Sequence, residues 1–371
     1  MKKLESYTVM NYRIILCVSV VFIHYSAYEW NFTIPSSEAY ALLKFVFVDI
    51  LARMAVPMFF LLSGYYFFKT ETKLSSFTKH DYYSKLKKRI WTLLIPYLLW
   101  NIIAAIPVYE IAIYFFRNIP FEIPYTNAYD IFWVSPSYIG VHHEGAFSGI
   151  GNLSYPQNMP LWFIRDLMVV IVLTPILHIL LLKTPKSFFT FLLSCAVFNV
   201  WPNITGFSYD AILYFSIGAC ISIHNKSLLE IAQKFKKYNY IISGILFSVL
   251  SYTTINKCNI HIISYISYLS LGMSLYNIIC LLMTNNIIKP HFSISSSVFF
   301  IYCIHNTNIL TTIIKIPIDK IIWSSITTNS LVLSIIAFFI YPIIIFFFCI
   351  LVHRIMMMII PRITKVLNGN R

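Results

Sequence analysis

The chain has 371 residues, of which 58% are hydrophobic and only 11% are charged, whereas an average soluble domain carries about 25% charged residues. So few polar side chains cannot cover the surface of an ordinary soluble domain, and the composition excludes that class of protein. The net charge of +14 does not by itself indicate nucleic-acid binding, because the basic residues follow the pattern of a membrane protein.

Long apolar runs dominate the sequence from one end to the other. A helix needs about 20 apolar residues to cross the core of a bilayer, and the runs lack period-2 alternation, so they favour helices over a β-barrel. We therefore predict an all-α, polytopic membrane bundle of about ten transmembrane helices, in one domain over residues 1–371. The predicted spans are 12–30, 41–68, 91–116, 161–182, 187–203, 209–224, 239–256, 262–283, 294–316 and 331–359.

The distribution of Lys and Arg predicts the orientation of the bundle. With the N-terminus in the cytoplasm, 20 of the 28 basic residues fall in cytoplasmic segments and 4 in outer segments. This excess is the positive-inside pattern of membrane proteins, and it predicts that both termini are cytoplasmic. We assign the basic surplus to topology and to contact with membrane lipid, and predict no nucleic-acid partner.

A basic cytoplasmic loop is predicted over residues 69–90. Lys85, Lys88 and Arg89 have the spacing of one helix face. Such a face suits anionic lipid headgroups, and it equally suits the phosphates of a cofactor.

A long outer loop, residues 117–160, is rich in aromatic residues, which suit both sugar stacking and the membrane interface. Its adjacent His142, His143 and Glu144 are poorly spaced for chelating one metal ion. The seven cysteines of the chain show no CxxC pattern. We predict no metal site and no permanently bound cofactor.

Span 1 carries Arg13 near its cytoplasmic start and His24 eleven residues later. Eleven residues bring a helix back to nearly the same face, with about 16 Å between the two side chains along the axis. A positive group at the inner mouth and a deeper imidazole suit a long ligand with an anionic end, such as coenzyme A. A snorkelling arginine and a hydrogen-bonded core histidine are the structural alternative.

Polar residues in other spans are further candidates, because ionisable groups inside a membrane are costly and are often functional. At the inner side, Ser63 lies near the cytoplasmic end of span 2. The candidates predicted in the outer half are Glu110, Trp162, Arg165, Asp166 and His305. This polarity at both ends favours a protein that takes a charged donor from one side and serves an acceptor on the other.

Five segments, in order along nearly the whole chain, resemble motifs of the acyltransferase-3 family of bacterial membrane O-acyltransferases. They are RIILCVSVVFIH at 13–24, VPMFFLLSGYYFF at 56–68, KKRIWTLLIPYLLW at 87–100, PLWFIRDLMVV at 160–170 and FFIYCIH at 299–305. The first motif alone is a weak pattern, but five motifs in order on a ten-span chain are specific.

The resemblance implies an enzyme of the bacterial cytoplasmic membrane that transfers an acyl group, usually acetyl, from acyl-CoA. The implied acceptor is a hydroxyl of a surface polysaccharide or of its lipid-linked precursor. By the same resemblance His24 would be the catalytic imidazole, and Arg13 and Arg89 would hold the phosphates of the donor. Lys88 and Ser63 join them as predicted donor-binding residues because of their position at the inner mouth.

The predicted chemistry is direct transfer. His24 takes the proton of a sugar hydroxyl as the oxygen attacks the thioester carbonyl. A buried cationic or hydroxyl donor is predicted to stabilise the oxyanion, and Arg53, Ser63 or His305 could serve. Either Asp166 or Glu110 is predicted to orient an imidazole. An acyl-histidine intermediate is the alternative chemistry.

Glu110, Trp162 and Arg165 are predicted to bind the acceptor. One branch of the family has an outer Trp-Ser-Leu-x-x-Glu segment, and here Trp162 is followed by Arg165 and Asp166 instead. A transporter or flippase for a lipid-linked glycan, without acyl transfer, is the alternative function, although no internal repeat of the transporter kind is evident.

Overall fold

The computed structural model describes residues 2–25, 42–69, 78–108, 111, 114–115, 125–136, 154–256, 258, 260–315, 317 and 331–370. Within these ranges every regular element is helical, which confirms the predicted all-α class. Glu110, His142, His143 and Glu144 lie outside the described residues, as does much of the outer loop 117–160.

Sixteen α-helices of very different length form most of the described chain. They are α1 (Lys2–Tyr25), α2 (Ala55–Phe68), α3 (Lys79–Arg89), α4 (Ile95–Ala104), α5 (Ala128–Phe132), α6 (Trp162–Val172), α7 (Thr174–Lys183), α8 (Pro185–Phe198), α9 (Tyr209–Ile223), α10 (Leu228–Ile255), α11 (His261–Thr284), α12 (Phe292–Ser295), α13 (Val298–Ile304), α14 (Asn308–Leu310), α15 (Leu331–Ile359) and α16 (Pro361–Leu367). Turns of π-helix or 3-10 helix are Phe45–Leu51, Ala52–Met54, Ile90–Leu94, Met159–Leu161 and Thr311–Lys315.

Several of these helices are long and apolar enough to cross a membrane. Four are single segments, namely Lys3–Tyr25, Leu42–Phe68, His261–Thr284 and Ile335–Ile359. Two bent pairs, α6 with α7 and α9 with α10, raise the number to 6 within the described residues if each pair is one span. The architecture is therefore multi-span and helical, whereas about ten spans and cytoplasmic termini stay predictions.

Some predicted spans differ from the observed helices. The prediction 161–182 divides into α6 and α7, bent by 65°, because Pro175 has no amide hydrogen to continue the hydrogen-bond ladder. The prediction 187–203 was too long, since α8 ends at Phe198, where Asn199 adopts a left-handed φ of 54°.

Two more predicted spans are interrupted in the structure. Within 91–116, a π-helical turn leads into α4, whose last residue is Ala104. Within 294–316, the helix is interrupted between α13 and α14, over residues 305–307. In contrast, α11 and α15 agree closely with the predictions 262–283 and 331–359.

The central helix of the described bundle is α1, which packs against α2, α11, α13 and α15. The Tyr12 hydroxyl donates to the carbonyl oxygen of Gly272 at 2.8 Å, and the Asn11 amide donates to that of Lys289 at 3.0 Å. Hydrogen bonds from α1 to α11 and to the segment that follows it fix the rotation of α1. They set the direction in which Arg13 and His24 project.

A close contact between α2 and α9 fixes how α2, the helix that carries Ser63, packs in the bundle. Gly64 and Gly218 face each other so closely that a Cβ atom on either would overlap the backbone of the opposite helix, at Phe215 or Leu61. Small residues allow membrane helices to approach in this way. The contact packs the Gly64 side of α2 against α9.

Candidate active site

A cavity of about 420 Å³ opens between α1, α2, the end of α3, α6 and the region of α12 and α13. Two guanidinium groups, those of Arg13 and Arg89, line it together with the Ser63 hydroxyl. None of its described lining residues is acidic, so the charge of this wall is positive. The structure thus brings together three of the four residues predicted to hold the donor.

Arg89 is the last residue of α3, a helix that begins with a capping box and ends with basic residues. The Asp81 amide donates to the Thr78 hydroxyl oxygen at 3.2 Å, and the Thr78 amide donates to Asp81 Oδ2 at 3.0 Å. These bonds from the Thr78 backbone and side chain hold the pKa of Asp81 below its usual value. Basic residues at the other end of α3 are favoured by the helix dipole.

The structure gives different surroundings to the three basic residues that were predicted to share one face of α3, namely Lys85, Lys88 and Arg89. The Lys85 ammonium donates to the carbonyl oxygen of Phe67, which ties α3 to the end of α2. Burial lowers the pKa of both Lys85 and Arg89, although an arginine keeps its charge at neutral pH. Lys88, in contrast, is exposed and lies outside the cavity wall.

The two candidate imidazoles lie side by side. The ring centroids of His24 and His305 are 5.1 Å apart and the rings are tilted by 55°. His24 is half-buried, and His305 is fully buried. Residues 281 positions apart in the chain therefore form one pair, which the sequence did not predict.

His305 is held at the break between α13 and α14. The break releases backbone carbonyl groups from the helix, and side chains satisfy two of them. The Asn158 amide donates to the Cys303 carbonyl oxygen at 2.8 Å, and the Tyr25 hydroxyl donates to that of His305. Irregular backbone at membrane depth is tolerated only where protein buries it or a cavity meets it.

Three aromatic rings connect the cavity to the histidine pair. The Tyr302 centroid lies 6.4 Å from that of Phe59 and 5.7 Å from that of Phe163, and all three residues line the cavity. The Tyr302 ring also lies 6.1 Å from the His305 ring. Tyr302 therefore lines the basic cavity and also packs against His305, one member of the histidine pair.

Arg165 and Asp166 form a buried ion pair rather than an open polar surface. Arg165 Nη2 lies 3.0 Å from Asp166 Oδ1, and both side chains are only 1% exposed. Arg165 Nη1 also donates to the carbonyl oxygens of Trp133 and Ser154, at 2.7 and 2.9 Å. Arg165 thus fastens two stretches of the outer loop to the start of α6, where Trp162 packs 6.3 Å from the ring of Phe60.

Sequence reasoning missed a buried carboxylate at the start of α1. Glu5 accepts hydrogen bonds from Tyr65 at 2.7 Å, from Lys69 at 2.5 Å and from Ser227 at 2.5 Å. These contacts join α1 to the end of α2 and the start of α10. The available signal was one acidic residue in an otherwise basic N-terminal segment. Phe59 and Phe163 had no such signal, because aromatic residues are common in membrane spans.

The part of the chain that the structure describes contains no candidate metal site. There, no group of three His, Cys, Asp or Glu side chains is arranged to hold a metal ion. Glu110, His142, His143 and Glu144 lie outside that part. The acceptor-binding role of Glu110, and the absence of a metal site at the other three, therefore stay predictions.

Comparisons with known proteins agree with the motifs. The model of an acyltransferase domain, that of the acyltransferase-3 family, matches residues 11–354. The succinoglycan biosynthesis protein ExoH of Rhizobium meliloti (strain 1021) is 30% identical over 223 residues, which are 58% of this chain and 54% of that protein. The chain thus spans about half the length of this curated relative, and no solved structure matches. Because the family model covers nearly the whole chain, including the Arg13–His24 segment and the FFIYCIH segment, the chain belongs to the acyltransferase-3 family.

Proposed function

We propose that this protein transfers an acyl group, with acetyl expected, from cytoplasmic acyl-CoA to a hydroxyl of a surface polysaccharide or its lipid-linked precursor. The main support for this proposal is the arrangement of two residues on α1. The inner part of α1 places Arg13 in a positively charged cavity, and the same helix carries His24 about 16 Å further along its axis. The family membership supports acyl transfer as the reaction class.

The cavity suits the nucleotide end of acyl-CoA. Its volume of about 420 Å³ falls within the range of about 300–1,000 Å³ typical of small-molecule sites. Arg13 and Arg89 offer the forked donors that match phosphate oxygens, and Ser63 adds a hydroxyl. The apolar side chains beside them suit the long pantetheine arm, which we propose passes Phe59, Phe163 and Tyr302 to bring the thioester to His24.

His24 is the proposed general base. It removes the proton from the acceptor hydroxyl while the oxygen attacks the thioester carbonyl. The new C–O bond forms, the C–S bond breaks, and the protonated imidazole returns its proton to the leaving sulfur, so that free coenzyme A departs. If His24 instead attacks the carbonyl itself, an acyl-histidine forms first. Rapid quenching with labelled acyl-CoA and no acceptor separates the two, because only the second route leaves label on the protein.

The relative indicates the chemical class of the acceptor. That relative is a protein of succinoglycan biosynthesis, and we propose a glycan hydroxyl as the acceptor here. Trp162 and Glu110 are proposed acceptor contacts, with the bacterial cytoplasmic membrane as the location. We propose Arg165 as an acceptor contact only through the outer loop that it anchors, since its Nη1 atom already binds two carbonyl oxygens.

The test compares the wild type with His24→Ala in a host that has a defined surface glycan. Base-labile acetate on the glycan is counted by mass spectrometry, at equal membrane abundance of the two proteins. We expect acetate with the wild type and none with His24→Ala. His291→Ala is the matched control, because His291 is exposed and lies outside the site. Normal acetylation by His24→Ala would show that the histidine is structural, and a wild type that never consumes acyl-CoA in detergent would favour the transporter alternative.

A further inference from the structure

A second cavity, of about 630 Å³, lies between the start of α1, the first half of α10 and the end of α11. It shares no described lining residue with the cavity that is proposed to hold the donor. Helical spacing places its main lining residues on facing stripes of two helices, namely Gln233, Lys236 and Tyr240 of α10 and Asn277 and Leu281 of α11. The second cavity is therefore a separate site.

Asn277 gives this cavity a buried hydrogen-bond donor. The side chain is only 1% exposed, and its Oδ1 atom accepts from Gln233 Nε2 at 3.3 Å. Its Nδ2 atom has no hydrogen-bond partner among the described residues. A buried N–H group without an acceptor is costly, so a ligand that brings an oxygen acceptor into the cavity would be bound favourably at Asn277.

The charged residues of the cavity are two lysines and one glutamate. Lys234 and Lys236 line it from α10, together with Glu230 one turn earlier, and all three side chains are exposed. In the described part of the chain the ion pairs are Lys69–Glu5 and Arg165–Asp166, so these three residues are not paired with one another. The lysines outnumber the carboxylate, and the lining therefore attracts an anion.

The composition of the two helices places the cavity at the depth of lipid headgroups. Lys237 is the last charged residue of α10, which continues without charge from Tyr238 to Ile255, and α11 carries no Lys, Arg, Asp or Glu. Lysines at the end of an apolar helix lie at the membrane surface, where they attract anionic lipids.

The apolar surface that follows the lysines suits acyl chains. Ile241 and Ile245 of α10 are 57% and 59% exposed, and Val249 one turn further is 37% exposed. These residues are four apart, so they form one stripe along the helix. A molecule with its anionic group beside Lys234 and Lys236 would therefore lay its apolar chains along this stripe.

We propose that the second cavity binds an anionic phospholipid, with phosphatidylglycerol as the chemical type. Lys234 and Lys236 hold the phosphate, and Asn277 Nδ2 donates to one of its oxygens. The glycerol hydroxyls of the headgroup donate to the Glu230 carboxylate, which leaves one phosphate charge to match the surplus of one lysine. This site is independent of acyl transfer and goes beyond the proposed function.

A lipid in this position would join α1 to the helices beside it. Leu4 of α1 lines the cavity, and the next residue, Glu5, accepts from the Ser227 hydroxyl at the start of α10, at 2.5 Å. A ligand that binds only the folded protein raises its unfolding temperature. We therefore expect phosphatidylglycerol to stabilise the purified protein against heat.

The test titrates the full chain, purified in detergent, with phosphatidylglycerol and measures bound lipid by native mass spectrometry. We expect one saturable site in the wild type. In Lys234→Gln/Lys236→Gln the Kd should rise by about 30-fold, because each lysine near a membrane surface contributes about fivefold to the binding of anionic lipid. Lys237→Gln is the matched control, since Lys237 is an exposed lysine of the same helix that does not line the cavity.

A second pair of variants tests the buried amide. Asn277→Ala removes the Nδ2 donor and should raise the Kd by about 10-fold or more, as expected for a hydrogen bond to a charged group. It also loses the bond with Gln233. Gln233→Ala is the control for that loss, because it removes the same bond but keeps Asn277 Nδ2, and its Kd should rise less.

Three outcomes would overturn the proposal. The first is a Kd in Lys234→Gln/Lys236→Gln equal to that of Lys237→Gln. The second is equally tight binding of phosphatidylethanolamine, which has no net charge and whose ammonium group would pair with Glu230. The third is the same thermal stabilisation by glycerol phosphate alone, which would show a site for a soluble phosphate rather than for a lipid. None of these measurements requires acyl-CoA turnover, so they stand whether or not the proposed function does.

Discussion

The arginines at the two ends of the described bundle have opposite environments. Arg13 and Arg89 line a cavity whose described wall contains no acidic residue. Arg165, in contrast, is 1% exposed, pairs with Asp166 and donates to two loop carbonyl groups. A cation that faces a cavity without an acidic partner is ready for an anionic ligand, whereas a cation whose donors are already bound stabilises the fold. The difference lies in the partners, since the residue type is the same.

The largest expected effect concerns Arg165, the buried arginine of this comparison. Arg165→Met leaves the Asp166 carboxylate buried without its partner, and breaking such a pair costs about 3–5 kcal/mol. We expect a severe loss of folded protein in the membrane and, in detergent, a much lower unfolding temperature. Both are measured by size-exclusion chromatography and thermal unfolding of purified protein.

The double variant Arg165→Met/Asp166→Leu sharpens this result. Replacing both charges by apolar groups avoids an unpaired carboxylate, so it should recover part of the stability. Full recovery is not expected, because the Trp133 and Ser154 carbonyl groups still lose their donor. An Arg165→Met protein as stable as the wild type would contradict the structural role.

The next effect concerns the cavity lined by Arg13 and Arg89, where the proposed donor would bind. Arg13→Gln and Arg89→Gln each remove a charged donor from the cavity wall, and a hydrogen bond to a charged group contributes about 1.5–3 kcal/mol. We expect the KM for acetyl-CoA to rise by about 10- to 150-fold in each variant, with little change in the unfolding temperature. Steady-state kinetics of acetyl-CoA consumption measure the change.

Lys88→Gln is the matched control for the cavity arginines, because Lys88 neighbours Arg89 on α3 but is exposed and lies outside the cavity wall. It should leave the KM nearly unchanged. A rise in KM as large as that of Arg89→Gln would show that the predicted basic face of α3, rather than the cavity, binds the donor.

The smallest effect concerns the capping box that starts the helix carrying Arg89. Since the folded pKa of Asp81 is lowered by its bonds with Thr78, this contact stabilises α3 at pH values above the unfolded pKa of about 3.9. That stability is lost as the pH falls through the folded pKa. We expect faster hydrogen exchange over residues 78–89 in Asp81→Asn than in the wild type at pH 7, measured by mass spectrometry. A difference between the two proteins that persists once Asp81 is protonated would contradict the capping contribution.

The parts of the site that lie within one helix were predictable. The spacing of Arg13 and His24 predicted a shared face, and α1 is one continuous helix from Lys2 to Tyr25. Ser63 and Arg89, which line the cavity, were also singled out from sequence, by their motifs and their predicted position near one end of the bundle. Helical periodicity and hydropathy are properties of a short stretch of chain, so they can be read without knowing the fold.

The contacts between helices were not predictable in the same way. His305 was predicted to lie near the middle of a span, but the chain breaks there, and Asn158, far away in sequence, satisfies a carbonyl group freed by the break. Either Asp166 or Glu110 was predicted to orient an imidazole. Asp166 is instead bonded to Arg165 and to Ser208, and Glu110 lies outside the described residues.

By itself the sequence determined that this chain is a helical membrane protein of the acyltransferase-3 family, and that Arg13 and His24 occupy one face of its first helix. Only the tertiary structure decided that Arg13, Ser63 and Arg89 share a cavity, and that His24 lies against His305. The physical reason is the range of the forces involved. Apolar length and helical period act within one segment, whereas the close contact of Gly64 with Gly218 and the break at His305 depend on residues that only packing brings together.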